Sequence, residues 1–173
     1  KEKEVKLSDH WKKYTGAYLD ESFIIEFLTP EEYFYFVGSL HGFSKEAVKE
    51  KINLYADFFN GEILGRKKCI REMYKGNQKK IGIVGALLAN PEVVILDEQF
   101  PHLDPSSVIR LKRILKEINE KGVTLLISSH DLNHVTEVCK RIVLLEKGKI
   151  IKDIKTGEDT LKELENYFAV NID

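Results

Sequence analysis

The chain has 173 residues, with 27 Lys+Arg against 28 Asp+Glu, a formal net charge of -1, 43% hydrophobic and 32% charged residues. That length suits one domain with a substantial core, and the near-even charge balance makes no electrostatic case for nucleic acid as the main partner. The longest apolar runs are strand-length, too short to span a bilayer, and the charged start "KEKEVKLSDHWKK" contains no apolar signal segment. Cys69 and Cys139 match no metal or redox spacing, and read as two reduced thiols in the cytosol.

From Glu21 to Lys80 the pattern is helical. Thr29 followed by Pro30, Glu31 and Glu32 predicts an N-cap, a proline at the first helical position and acids in the first turn, opening a helix to about Leu40. Ser44 caps a second predicted helix, "SKEAVKEKINLYADFF", in which Val48, Ile52, Tyr55 and Phe59 recur at helical spacing. Ten of the sixteen Phe and Tyr residues fall between Phe23 and Phe59. A compact helical core accounts for that density, with a groove for a partner as the alternative.

Beyond residue 80 strands and helices alternate. "IGIVGALLAN" reads as a helix with small residues for close packing, ending near Asn90-Pro91. Val93 to Leu96 is a short continuous apolar strand of the kind buried in a parallel sheet. Asp104 caps a helix beginning at Pro105, with Val108, Leu111, Leu115 and Ile118 on one stripe and Gly122 at its end. Val123 to Ser128 reads as a second buried strand, and a short helix starts near Asp131. "RIVLLEKGKIIKD" is a strand, a tight turn at Lys147-Gly148 and a returning strand. The alternation predicts an α/β fold, a mostly parallel sheet flanked by helices.

Ligands of open parallel sheets bind beyond the carboxyl ends of the strands. Asp97 and Glu98 end one predicted strand, and Ser129, His130 and Asp131 follow the next. An adjacent acid pair is costly unless something offsets its charge. A hydrated Mg²⁺ and an oriented water, as nucleoside triphosphate hydrolysis requires, would do so; the alternative reading of "VVILDE" by itself is that the two acids merely start a loop.

With these segments in hand, nearly the whole chain resembles the nucleotide-binding domain of ABC transporters. "VVILDE" resembles the family's Walker B strand, "HLDP" its D-loop, "ISSHD" its switch-histidine segment, "AYLDES" its Q-loop, and "MYKGNQKKIGIVGALLANPE" its signature and following helix. Five motifs in order are far more specific than one. The resemblance implies a P-loop NTPase-type fold in three parts: residues 1–21 closing an N-terminal catalytic part and Q-loop, 22–80 a helical subdomain with the signature, and 81–173 a RecA-like catalytic subdomain. It implies ATP and Mg²⁺ as ligands. Asp97 would hold Mg²⁺ through water, Glu98 would be the general base, and His130 would contact the γ-phosphate. Glu21, at the Q-loop position, would link metal to helical subdomain, and Asp104 would lie at a dimer interface. Tyr74, Gly76 and Asn77 would occupy signature positions facing nucleotide. The implied partners are a transmembrane permease subunit and a second nucleotide-binding domain, placing the protein at the cytoplasmic face of the membrane.

Three departures accompany the resemblance. Tyr74 stands where the family's LSGGQ has its serine and Lys75 at its first glycine; the tandem lysines Lys75, Lys79 and Lys80 resemble exporter-type signatures of the form SKGMKQK, with a solvated helix face as the alternative. "QFPH" replaces the common proline-and-glycine pattern before Leu103-Asp104. No segment matches the phosphate loop GxxxxGK[ST], and Gly61 to Gly65 comes nearest without the lysine. The expectation is a chain resembling the later two-thirds of such a domain, without useful ATP affinity alone. A soluble ABC-type ATPase of translation or repair, and a non-hydrolysing regulatory relative, remain alternatives.

Overall fold

The computed structural model describes residues 4–170. Local capping chemistry sets the first long helices. Helix α1 (Pro30–Leu40) opens on a capping box, in which the Glu32 amide donates to Thr29 Oγ1 at 3.3 Å and the Thr29 amide donates to the Glu32 carboxylate at 2.8 Å. Helix α2 (Lys45–Asn53) is capped by Ser44 as expected. It does not continue to Phe59, however. The amides of Leu54 and Tyr55 bond back to Lys51 and Ile52, three residues earlier, which tightens and ends the helix. A separate turn, α3 (Ala56–Phe59), follows and ends on left-handed Asn60. Phe34, Val48, Ile52, Phe58 and Phe59 are all buried. The core reading of the aromatic cluster therefore holds for those side chains, whereas Phe23, Phe27 and Phe36 are exposed.

Helix α4 (Lys75–Leu87) begins six residues before the predicted "IGIVGALLAN" segment and is buried on nearly every side from Gln78 to Gly85. Its small residues serve close packing. A Cβ on Gly82 would lie 2.4 Å from the Tyr18 ring.

Tyr18 belongs to β1 (Thr15–Tyr18), a strand that periodicity did not reveal. It pairs in parallel with β2 (Val93–Asp97), Tyr18 lying opposite Leu96. β3 (Thr124–Ser128) is the third strand, in the order β1-β2-β3, and as the outer strand of that sheet it is not buried as expected: Leu126 is exposed, and Leu125 and Ile127 are half-buried. The Thr124 amide donates to the Glu92 carbonyl at 2.9 Å where β3 begins. Between β2 and β3 runs α5 (Pro105–Glu120), capped by Asp104 and burying Leu111 and Leu115 completely.

By compactness the chain divides into one unit ending at Leu126 and another beginning at Ile127. The second contains α6 (Leu132–Val138), capped by Asp131, and the antiparallel hairpin of β4 (Arg141–Glu146) and β5 (Lys149–Lys155), turning at Lys147-Gly148 as predicted. Its last helix, α7 (Thr160–Val170), was not anticipated. No helix of the described residues is long and apolar enough to cross a membrane.

Candidate functional site

Parallel pairing carries the carboxyl ends of β1 and β2 to one edge of the sheet. Glu21 follows Tyr18 by three residues there, in a single 3-10 turn capped by Asp20. Asp97 closes β2 and is exposed, and Glu98 is half-buried with a φ of +46°. A left-handed φ at a non-glycine residue costs on the order of 1–3 kcal/mol and persists only when its surroundings enforce it. Two strands thus deliver Glu21, Asp97 and Glu98 to the same edge.

Of the tandem lysines, for which a solvated helix face is the alternative reading, Lys79 and Lys80 are buried there instead. Lys79 is 5% and Lys80 1% exposed, whereas Lys75 is exposed. Lys79 Nζ donates to the Glu98 carbonyl at 2.6 Å and lies 3.9 Å from Glu21 Oε1. That same Glu21 oxygen accepts the Tyr18 hydroxyl at 2.9 Å. Burial lowers the Lys79 pKa, and the charges of Glu21, Glu98 and Asp97 oppose that shift. Burial also raises the Tyr18 phenol, aided by its bond to Glu21. Lys80 Nζ lies 3.7 Å from Glu62, 3.8 Å from Asp104 and 5.8 Å from the centre of the Phe58 ring. The available signal was that both lysines sit inside the run "KKIGIVGALL" of a helix with no polar face, where a lysine must find partners.

Tyr74 is the N-cap of α4 and makes no capping bond through its side chain, which is 87% exposed. The Asn77 amide donates to the Tyr74 carbonyl at 2.9 Å, so Gly76 and Asn77 form the first helical turn, at the positive end of the helix dipole. Gly76 is required by a close approach: a Cβ there would meet the His102 carbonyl oxygen at 2.5 Å. His102 has a φ of +68°, the backbone conformation glycine favours. The signature segment and the D-loop segment are therefore packed backbone against backbone. Gln78 anchors the turn before the helix by donating to the carbonyls of Ile70 and Met73.

Asp104 accepts from the Ser107 amide at 3.0 Å and from the hydroxyls of Ser106 and Ser107. Those hydroxyls, Ser106 first, hold its carboxyl well below the usual range. His130 is exposed and lies two residues beyond β3, just before the Asp131 cap of α6.

The carboxylates offer hard oxygen donors suited to Mg²⁺. Among the described residues no three His, Cys, Asp or Glu side chains converge as a ready-made metal cage.

No family model matches the chain. Curated relatives do. The chain is similar to the uncharacterized ABC transporter ATP-binding protein YhaQ of Bacillus subtilis, 39% identical over 135 residues, 78% of this chain and 43% of that protein. It is similar to the energy-coupling factor transporter ATP-binding protein EcfA of Methanococcus maripaludis, 35% identical over 76% of this chain and 46% of that one. The chain thus spans less than half the length of these two relatives. Its fold resembles a solved ATP-binding subunit of an ABC transporter, with a TM-score of 0.75 at 24% identity over 94% of this chain and 65% of that one. It also resembles the ATP-binding cassette MJ0796, solved as a dimer bound to ADP and Pi, with a TM-score of 0.73 at 22% identity over 83% and 63% of the two chains. Motif order, relatives and fold agree: the chain belongs to the ABC transporter ATP-binding proteins.

Proposed function

We propose that the polypeptide of which these residues are part hydrolyses ATP and couples that hydrolysis to transport through a transmembrane permease partner at the cytoplasmic face of the membrane. The observation that carries the reading is the parallel register of β1 and β2, which brings Glu21 to the same sheet edge as Asp97 and Glu98. Glu98 takes the proton of the attacking water. Asp97 and Glu21 are the residues to hold Mg²⁺, which when bound supplies charge neutralisation at the phosphates. Gly76 and Asn77 present the α4 N-terminus to the γ-phosphate of a nucleotide held by a second nucleotide-binding domain. Asp104 lies at that dimer interface, and His130 contacts the γ-phosphate. In this reading residues 22–80 are the helical subdomain and 81–173 the catalytic one. Exposed Leu19, Phe23 and Phe27, flanking or following Glu21, support a permease-docking face beside the Q-loop segment.

The test compares two polypeptides. The full-length protein should turn over MgATP, and failure to do so would refute the reading. Calorimetric titration of MgATP into the 173-residue chain should give no saturable heat up to millimolar concentration, since its sequence contains no GxxxxGK[ST] cradle. Micromolar binding would mean that a different set of residues holds the phosphates.

Tyr74 offers a separate measurement. Serine is a preferred N-cap and tyrosine is not, so Tyr74→Ser should stabilise the chain by about 0.5–1 kcal/mol in equilibrium denaturation. A phenol is also too long for the space a serine hydroxymethyl fills beside a phosphate, so the same change should raise turnover in the full-length protein. A fall in both quantities would show that the tyrosine is adapted to its place.

A further inference from the structure

We propose that Lys79 is a positioning residue for hydrolysis, holding the backbone of Glu98 in its left-handed conformation through the hydrogen bond from Nζ to the Glu98 carbonyl. The inference rests on the reading of Glu98 as general base and goes beyond it by naming what fixes that base in place.

An ammonium buried to the extent of Lys79 must recover its lost hydration from partners. It has a carboxylate within reach, Glu21, yet the distance to it is 3.9 Å, whereas the distance to the Glu98 carbonyl is 2.6 Å. Its closest contact is thus with the main chain of the residue that carries the base. That main chain is strained, with φ at +46° immediately beyond the end of β2. Charge-assisted hydrogen bonds are short and directional, and so are suited to holding a peptide group in an unfavourable orientation.

The lysine is itself held at both ends. Its backbone lies in α4, one helical turn after Lys75 at the start of the helix. Its ammonium faces the Glu21 oxygen that also accepts the Tyr18 hydroxyl, and the Tyr18 ring packs into the space left by Gly82 of the same helix. A displacement of the first turn of α4, where the signature segment lies, therefore acts on the Glu98 peptide through one side chain. Methionine at this position would fill the same volume without the donor. Arginine would keep both donor and charge.

The experiment is steady-state MgATP hydrolysis by the full-length protein, comparing wild type, Lys79→Met, Lys79→Arg and Glu98→Gln. Lys79→Met is expected to lower kcat at least tenfold while leaving the KM for MgATP within threefold, and Lys79→Arg to recover kcat to within threefold of wild type. An unchanged kcat in Lys79→Met, equal losses in the Met and Arg variants, or a KM change as large as the kcat change would each overturn the proposal. If Lys79→Met does not fold, Lys79→Gln, with a donor one bond shorter, takes its place, and a kcat equal to that of Lys79→Arg would overturn it. Normal kcat in Lys79→Met beside an inactive Glu98→Gln removes the role of Lys79 alone. Normal turnover in Glu98→Gln removes the assignment of the base, and the positioning role with it.

Discussion

Glu98→Gln in the full-length protein is expected to cut ATP turnover about a hundredfold or more while ATP binding survives, the range for removing a general base. The amide keeps the size of the carboxylate and can occupy the same half-buried space, but it cannot accept a proton from water. Its backbone also tolerates the substitution, because Glu98 is already left-handed and an unbranched glutamine adds no further crowding. Binding and turnover must be measured separately, nucleotide affinity by calorimetry and turnover by phosphate release. Retained affinity with unchanged turnover would reject Glu98 as the base. Lost affinity would mean that the carboxylate acts mainly in holding the metal and its nucleotide.

Phe34→Ala is expected to destabilise the first unit by about 3–5 kcal/mol, the range for truncating a buried phenylalanine whose cavity the neighbours cannot fill. Phe34 is fully buried in α1, its ring centre 5.7 Å from that of Tyr33 and 5.8 Å from that of Phe59. Gly38 on the same helix meets Val48 of α2 so closely that an added Cβ would lie 2.2 Å from it, which leaves these helices no easy way to collapse into a void. Phe36→Ala, on the exposed side of the same helix, should change stability by no more than about 0.5 kcal/mol. The shift in denaturant midpoint at constant m-value gives both numbers. A loss below about 1 kcal/mol at Phe34 would show that the helices adapt and that the cluster is not one packed core.

These two positions mark what was legible in the sequence and what was not. Capping is local chemistry, so Thr29 with Glu32, Ser44, and Asp104 with Pro105 announced their helices correctly. The apolar run at Val93 likewise announced β2 and its terminal acids. β1 escaped notice because it is four residues long and only Tyr18 is fully buried, so its identity as a strand comes from pairing with β2, seventy-odd residues later in the chain. The break between α2 and α3 escaped because Val48, Ile52 and Phe59 face the core on both sides of it, and apolar spacing does not register a tightened turn. At the site, Asp97 and Glu98 were readable from the residues as a pair, whereas Glu21 was reached only through the Q-loop resemblance of "AYLDES", because the strand that carries it to the same edge went unseen. The apolar run after Lys79 and Lys80 was the one local sign of their burial, and their partners, the Glu98 carbonyl, Glu21, Glu62 and Asp104, come from distant parts of the chain that no local rule names.

The left-handed backbone at Glu98 has a practical consequence for anyone making inactive forms of the protein. The site selects replacements by shape before it selects them by chemistry. Asparagine, aspartate and glycine enter that conformation most readily, and other unbranched side chains follow. Valine, isoleucine and threonine crowd it, and would shift the loop through Gln99 and Phe100, both buried, toward the D-loop. On the role proposed for Glu98, an inactive β-branched variant would therefore confound a lost proton acceptor with a displaced chain. Unbranched replacements isolate the chemistry, and the difference between the two sets measures how much of the activity belongs to the backbone.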